Sequence, residues 1–227
     1  MIRLLTEDRV ADFTYFCKKR LTGAVIYTRF LTYGLYSGEV FFWYSEDENG
    51  TLNGVFSMVD GILLSCADEV QDDEITLFAQ TVGAISVTYG QALYTLKYTG
   101  NENSYTAYDL SGENIKNAFD VIFEEDGNRK SYFERWYTDA SHKIRHGLIH
   151  GKCIYEDGKC VAVALTSGET DSIAVISSVA TLKNYRKKGY GEKAVLSLAQ
   201  SVSKDIYLMT DNEKIKCWYE KIGFTAI

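Results

Sequence analysis

The sequence predicts an α+β fold of mixed, mostly antiparallel sheets flanked by helices, laid out twice along its 227 residues. Short apolar runs alternate with longer amphipathic segments, a pattern typical of sheets covered by helices. Similar segments also recur in the same order about 105 to 120 residues apart. Leu5-Thr6 matches Leu110-Ser111, and Phe78–Val82 matches Leu198–Val202. This length fits two domains of roughly 100–120 residues each, which we place at residues 1–100 and 104–227.

The first half is predicted to begin with a strand and two helical segments. The strand covers Ile2–Leu5, a helix begins at Thr6, and an aromatic-rich segment follows at Ala24–Leu35. Three further apolar runs, with a turn at Glu48–Gly50 after the first, are predicted as strands. They are Val40–Tyr44, Gly54–Met58 and Ile62–Ala67. The order of one strand, two helices and three strands is the one that the second half repeats.

The second half is predicted to have the same order and then to continue. A strand covers Tyr105–Leu110, Ser111 is a plausible cap for a helix that runs to about Phe123, and Ser131–His146 is a second helix. Asp157-Gly158 is a favoured two-residue turn and predicts a hairpin. The remaining elements are the strands Lys152–Tyr155, Lys159–Leu165, Ser172–Thr181 and Asp205–Thr210, and a short helix Lys214–Glu220 closed by Gly223. The strand that ends at Thr181 leads into the segment most informative about function.

A basic, glycine-marked turn joins that strand to the next helix. Arg186, Gly189 and Gly191 stand in the spacing R-x-x-G-x-G. Glycines let the backbone turn tightly and bring its N–H groups close to a ligand. The positive end of the following helix and three adjacent cationic side chains favour a phosphate there. The spacing differs from the dinucleotide and ATP-type glycine loops, and the arginine comes first. Taken alone, the turn also fits an ordinary solvated strand–helix connection.

A second motif follows after one helix and one strand. Asn212 precedes Tyr219 by seven residues, and Gly223-Phe224 closes the pattern N-x(6)-Y-x-K-x-G-F. The two motifs in this order resemble the GNAT superfamily of N-acetyltransferases, whose acyl-CoA pyrophosphate loop has the R-x-x-G-x-G arrangement. Together with the internal repeat, the resemblance implies two GNAT-like domains, the acyl-CoA N-acyltransferase fold, with a degenerate N-terminal copy.

The resemblance also implies roles for residues near the turn. Backbone N–H groups from Arg186 to Gly191 would cradle the pyrophosphate. The strand residues before the turn would pair with the pantetheine arm, and an amide there would polarise the thioester carbonyl. Asn212 would hold the cofactor or the turn, while Lys187 and Lys188 fit equally well as ordinary solvated charges. The predicted cofactor-binding residues are Val179, Ala180, Thr181, Arg186, Lys187, Lys188, Gly189, Tyr190, Gly191 and Asn212.

Tyr219 matches the tyrosine that protonates the departing CoA thiolate in many relatives. A phenol with a pKa of about 10 can act as a general acid at neutral pH, and a buried aromatic with a local hydrogen bond is the alternative interpretation. The motifs do not fix the general base. Glu169 and Asp171 are candidates because they lie in the turn before the strand that enters the loop, although turn carboxylates are usually just solvated.

The first half differs where the chemistry is expected. At the position of the basic loop it has Asp68–Glu74, with five acids and no glycine. Carboxylates there would repel a pyrophosphate. The first half also lacks a counterpart of Trp218–Phe224. We therefore predict one acyl-CoA site, in the second half, and a structural or substrate-shaping role for the first.

Composition excludes several other classes of protein. The five cysteines are scattered without a C-x-x-C pair, so neither a disulfide framework nor a zinc site is predicted. A net charge of −7 argues against general nucleic-acid binding and is compatible with a cationic amine acceptor. No apolar run approaches the roughly 20 residues of a membrane span, and the N-terminus lacks a signal-peptide apolar region. We therefore expect a cytoplasmic protein with no membrane partner.

The sequence as a whole predicts an N-acetyltransferase with acetyl-CoA as cosubstrate. A primary amine of a small molecule or peptide would attack the thioester directly, and the protein would be a monomer or a homodimer. A non-catalytic CoA-binding, interaction or sensing module is one alternative, and transfer of another acyl or an aminoacyl group is a second. Relatives usually have one more strand after the position of Ile227. The first half, another chain, or nothing could supply that edge.

Overall fold

The computed structural model describes residues 1–68, 70, 72–100 and 105–227. Glu69 and Gln71 of the acidic segment, and Ser104 at the start of the predicted second domain, lie outside the described residues. The chain forms two compact units. The first comprises Met1–Ala92 and Gly168–Ile173, and the second comprises Leu93–Ser167 and Ala174–Ile227. The first boundary between the two units therefore falls after Ala92, whereas the sequence places the domain boundary between residues 100 and 104.

The first unit is a five-stranded sheet with helices. Its strands, in spatial order, are β1 (Ile2–Leu4), β2 (Phe41–Glu46), β3 (Leu52–Val59), β4 (Ile62–Ala67) and β5 (Ser86–Tyr89). Its helices are α1 (Val10–Lys18), α2 (Leu21–Tyr33) and α3 (Asp72–Thr81). The pairs from β1 to β4 are antiparallel and β5 is parallel to β4. Phe13, Phe30 and Phe42 pack with ring centroids 5.5–6.0 Å apart and join the helices to the sheet.

In the first unit, β4 and β5 stay together to the end of β5. Residues Ile62–Ser65 pair in register with Ser86–Tyr89. The next residue, Gly90, lies so close that an added Cβ would be 2.4 Å from the Ser65 carbonyl oxygen. The hydroxyl of Thr22 also donates to the Gly90 carbonyl at 2.9 Å. These contacts leave no gap between the two strands at this point.

The second unit is a seven-stranded sheet. Its strands, numbered along the chain, are β6 (Tyr94–Tyr98), β7 (Tyr108–Asp109), β8 (Gly151–Glu156), β9 (Lys159–Glu169), β10 (Ile173–Thr181), β11 (Asp205–Thr210) and β12 (Phe224–Ala226), and the spatial order is β12-β6-β11-β10-β9-β8-β7. Its helices are α4 (Asn114–Ile122), α5 (Phe133–Arg145), α6 (Tyr190–Ser201) and α7 (Glu213–Lys221). Buried residues of β8, β9, β11 and α6 form its hydrophobic core.

The hairpin and the strand Asp205–Thr210 are confirmed. Asp157 and Gly158 have positive φ angles of 49° and 76°, as a two-residue hairpin turn requires, and Glu156 pairs with Lys159 across it. The fold class predicted from the sequence is therefore present in both units, with mostly antiparallel sheets flanked by helices.

Two predictions at the start of the second half are wrong in detail. The strand predicted at Tyr105–Leu110 is reduced to Tyr108–Asp109. Ser111 does not cap α4, because the helix begins at Asn114 and the residue before it is Glu113, which makes no capping hydrogen bond. The Ser111 carbonyl instead accepts the Asn114 N–H at 3.0 Å, so a turn precedes the helix.

Glu169 is also placed differently from the prediction. It ends β9 instead of lying in the turn, and only 4% of the residue is exposed. Its backbone N–H donates to the Thr28 hydroxyl at 2.9 Å, within the first unit. The strand β9 therefore runs four residues beyond the predicted end at Leu165.

The strand β6 completes the second sheet from an unexpected part of the chain. It lies between β11 and β12, antiparallel to both, with Leu96 opposite Leu208 on one side and Ala226 on the other. The segment that the sequence assigned to the first domain thus supplies an inner strand of this sheet, and β12 forms its edge. Neither β6 nor β12 was predicted.

Candidate functional site

A cavity of about 420 Å³ lies in the second unit between β10, β11, the start of α6 and one face of α7. Six of the predicted site residues line it, namely Val179, Ala180, Thr181, Arg186, Gly191 and Tyr219. The other lining residues are Ile176, Ser177, Leu208, Met209, Thr210, Ile215 and Trp218. The structure thus brings the strand end, the basic loop and the C-terminal motif together at one cavity.

The two strands contribute an apolar floor and an accessible backbone. Ile176 and Leu208 are buried, whereas the last five residues of β10, Ser177–Thr181, are half-buried or exposed. The last residues of β11, Met209 and Thr210, are half-buried as well. Backbone groups at such strand ends can pair with an extended ligand, while the apolar floor covers its hydrocarbon part.

The start of α6, at the end of the loop after β10, has no side-chain cap. Gly189 precedes this helix and has a φ of 82°. The first N–H groups of a helix have no partner inside the helix and point towards an anion placed at its end. Gly191 lies close to Thr181, since an added Cβ would be 3.0 Å from the Thr181 hydroxyl oxygen. The loop therefore places the positively polarised start of α6 beside the cavity.

Arg186 is held by two contacts. Its Nε donates to the Thr181 carbonyl at 3.1 Å, and its Nη2 donates to Glu125 Oε2 at 2.5 Å. This hydrogen bond lowers the pKa of Glu125 and raises that of Arg186. Glu124 accepts the backbone N–H of Lys183 at 2.7 Å. Sequence reasoning missed both carboxylates, because nothing in the sequence links the end of α4 to a loop about 60 residues later.

Lys187 and Lys188 are exposed on the outside of the loop. Lys187 has a positive φ of 62°, which is uncommon for a residue with a Cβ. The Lys188 Nζ lies 5.2 Å from the centre of the Tyr185 ring. Tyr190, the first residue of α6, packs against the same ring with centroids 6.1 Å apart. Lys187, Lys188 and Tyr190 do not line the cavity. The two lysines add positive charge beside it, and Tyr190 packs on Tyr185 instead.

Tyr219 is buried on α7, with 6% of the residue exposed. Its ring packs edge-on against Trp218 and Phe224, with centroids 4.7 and 5.0 Å away. Burial raises the pKa of Tyr219 well above its ordinary value. The phenol is therefore protonated at neutral pH, and its side chain lines the cavity.

Asn212 holds the turn into α7. Its side-chain oxygen accepts the backbone N–H groups of Lys214 at 2.9 Å and Ile215 at 3.2 Å, which is the usual role of asparagine at a helix N-cap. It does not line the cavity. Of the two roles implied by the resemblance, this contact favours support of the turn and of the helix that carries Tyr219.

The structure does not bring the two base candidates to the cavity. Both Glu169 and Asp171 belong to the first unit, and neither lines the cavity. Asp171 is exposed and forms an ion pair with Lys18 at 2.8 Å, which raises the pKa of that lysine. The described residues that line the cavity include no carboxylate or histidine, so the general base stays unassigned.

The described ranges of the chain contain no group of three or more histidine, cysteine or acidic residues that could hold a metal ion. They also contain no helix that is long and apolar enough to cross a membrane.

Comparison with known proteins agrees with the geometry. The acetyltransferase (GNAT) family model matches residues 112–224, which include the loop, the cavity and Tyr219. No curated protein matches the sequence.

Solved structures resemble the whole chain. A tandem GNAT protein from the clavulanic acid biosynthesis pathway is 9% identical with a TM-score of 0.59, covering 100% of this chain and 95% of that one. A GNAT-family acetyltransferase from Colwellia psychrerythraea is 12% identical with a TM-score of 0.55, covering 100% and 96%. A Drosophila protein is 10% identical with a TM-score of 0.61, covering 100% and 95%. Residues 112–224 therefore form a domain of the acetyltransferase (GNAT) family, and the chain as a whole has the tandem GNAT fold.

Proposed function

We propose that this protein is a cytoplasmic N-acetyltransferase that moves the acetyl group of acetyl-CoA to a primary amine. The observation that carries the proposal is the single cavity at which the uncapped start of α6, the end of β10 and Tyr219 meet. Acyl transfer is the general chemistry of the family, and these three features match the three parts of an acyl-CoA. Those parts are the pyrophosphate, the pantetheine arm and the thiol that leaves.

The loop would bind the pyrophosphate. Backbone N–H groups from Arg186 to Gly191 and the positive end of α6 favour its charge, and the guanidinium of Arg186 adds a further positive charge. The half-buried end of β10, Val179–Thr181, would pair with the pantetheine amides. The thioester would then lie towards the apolar floor at Ile176 and Leu208.

The reaction would be a direct attack. The amine nitrogen bonds to the thioester carbonyl carbon, the carbon–sulfur bond breaks, and the amine loses a proton to a base that is unassigned. Tyr219 would donate its hydroxyl proton to the departing thiolate. The product is an amide, with free CoA released.

The donor site is proposed for the second unit alone. In the first unit β4 and β5 remain paired up to Gly90, so no slot opens for a pantetheine arm. Arg20 pairs with Asp68 there, with its Nε 2.9 Å from Oδ1, and that part of the chain has an acidic character. The first unit would then shape the acceptor site or have a structural role.

Release of free thiol from acetyl-CoA in the presence of a panel of amines tests this function. We expect thiol release that depends on both the protein and an amine. Tight CoA binding without turnover over a wide panel would instead support a sensing or interaction module. Turnover with a longer acyl-CoA or an aminoacyl donor, but not with acetyl-CoA, would support transfer of a different group.

Substitution Tyr219→Phe is expected to lower kcat about a hundredfold, since a positioned general acid contributes about 10²–10⁴-fold. The acetyl-CoA Kd should change little, because the ring still fills the cavity wall. Because burial raises the pKa of Tyr219, the wild-type kcat should show no fall from loss of this proton up to about pH 10. The measurement is the rate of free thiol release. If the variant is fully active, Tyr219 is not the general acid.

Substitution Glu125→Gln is expected to tighten acetyl-CoA binding about threefold at low salt, because a negative charge beside Arg186 repels the donor phosphates. The gain should disappear at high salt, where exposed charges are screened. Glu113→Gln is the control, since Glu113 lies at the opposite end of α4. Weaker binding by Glu125→Gln would show that the carboxylate orients Arg186 more than it opposes the donor.

A further inference from the structure

The orientation of Tyr219 depends on ring packing. Within the described part of the chain its hydroxyl makes no hydrogen bond, and its ring touches two other rings, those of Trp218 and Phe224. A side chain without a hydrogen bond keeps its rotamer only as long as its packing partners stay in place. Whatever fixes Phe224 therefore also fixes the direction in which the Tyr219 hydroxyl points.

Phe224 is fixed by the strand β6. It is buried, with 3% exposed, and lies directly opposite Tyr98 in the β6–β12 pairing. The two rings are 5.2 Å apart with an interplanar angle of 57°. Tyr98, Phe224 and Tyr219 thus form a continuous row of three rings, of which the last lines the cavity.

Tyr98 also covers the turn that delivers Phe224. Gly223 has a φ of 100°, and a Cβ added to it would lie 3.3 Å from Tyr98 Cε2 and 3.0 Å from the Gly100 Cα. The Thr99 N–H donates to the Gly223 carbonyl at 2.9 Å. The end of β6 therefore fixes both the backbone before Phe224 and the ring of Phe224.

From these contacts we infer that Tyr98 is a positioning residue for the acyl-transfer reaction and acts on Tyr219 through Phe224. The inference rests on the proposed function, since it takes Tyr219 as the acid. Tyr98 does not line the cavity, so it has no direct contact with a donor there. A displacement of about 1 Å in a proton donor is enough to lower the rate of a positioned reaction substantially.

Substitutions of Tyr98 in the full chain test this inference. We expect Tyr98→Leu to lower kcat about tenfold and to leave the acetyl-CoA Kd unchanged. Tyr98→Phe keeps the ring and should restore kcat. Phe224→Leu interrupts the same row and should lower kcat similarly. The control is Tyr207→Leu, because Tyr207 is a half-buried tyrosine on the adjacent strand, opposite Lys97.

A double variant separates positioning from a general loss of stability. If Tyr98 acts through Tyr219, adding Tyr98→Leu to Tyr219→Phe should cause no further loss of kcat, since the two effects share one path. Losses that multiply would overturn the inference, as would an equal loss in Tyr207→Leu. If Tyr219→Phe lowers kcat but Tyr98→Leu does not, the inference fails and the proposed function stands. If Tyr219→Phe is fully active, the acid role itself fails, and the inference fails with it.

Discussion

Replacing Gly191 with aspartate should abolish acetyl-CoA binding, with at least about a hundredfold loss of affinity, or roughly 2.7 kcal/mol. Two effects act in the same direction. A Cβ at this position would lie 3.0 Å from the Thr181 hydroxyl oxygen, so the Thr181 side chain or the loop would have to shift by a few tenths of an ångström. The new carboxylate would also stand in the first turn of α6, where its charge opposes that of a phosphate.

The control for this substitution is Gly127→Asp. Gly127 is exposed and belongs to the same unit, and a Cβ there would meet no atom within 4 Å. It adds the same charge without the steric conflict at the loop. In a thermal shift assay, acetyl-CoA should stabilise the wild type and Gly127→Asp but not Gly191→Asp. An unchanged ligand-induced shift in Gly191→Asp would mean that the donor binds elsewhere.

Truncation of Leu96 should cause the largest loss of stability in the second unit, about 2–5 kcal/mol for Leu96→Ala. Leu96 has no exposed surface and stands in the middle of β6, between Leu208 and Ala226. Because β6 is paired on both sides, a cavity at this point loosens its contacts with both β11 and β12. Leu208 on β11 lines the candidate site, so donor binding should weaken as well.

Leu93→Ala is the matched control, because Leu93 is 75% exposed and its loss should change stability by no more than about 0.5 kcal/mol. Urea unfolding followed by tryptophan fluorescence measures the difference. A Trp43→Phe background leaves Trp136 and Trp218 as reporters of the second unit. A fragment that starts at residue 104 lacks β6 and should not show the urea unfolding transition of the second unit. A fragment that starts at residue 93 contains β6 and should show it. Equal stability of the two leucine variants would contradict the central position of β6.

The local elements of this fold follow from the sequence where short-range rules decide them. Asp157-Gly158 predicts a hairpin because both residues accept positive φ, and the apolar run Asp205–Thr210 predicts a buried strand. The loop from Arg186 to Gly191 is recognisable because its arginine and glycines stand at fixed spacing. These features depend on a few neighbouring residues, and the structure has them where the sequence predicts.

Long-range features could not be predicted in this way. The strand β6 joins the second sheet because of pairings with residues more than a hundred positions later, and nothing within Tyr94–Tyr98 indicates which sheet it enters. The same limit applies to the contacts between Glu125 and Arg186. Glu169 was placed wrongly for a related reason. Its carboxylate was predicted in a solvated turn, whereas the residue ends a strand and is buried.

The candidate site shows the same difference between features set by local motifs and features set by long-range packing. Val179–Thr181, Arg186, Gly191 and Tyr219 are brought to one cavity, since two motifs with fixed spacing flank one helix and one strand. Asn212 belongs to the same motif but caps α7. The apolar floor formed by Ile176 and Leu208 was not predicted, because buried strand residues have the same pattern whether or not they line a cavity.

Titration of the full chain with acetyl-CoA in a calorimeter tests the central claim most directly. We expect one binding site per chain in the wild type, and no detectable binding by Gly191→Asp at the same concentrations. Two sites per chain would contradict the conclusion that the first unit has no donor slot. Binding that survives in Gly191→Asp would place the donor away from the loop between β10 and α6.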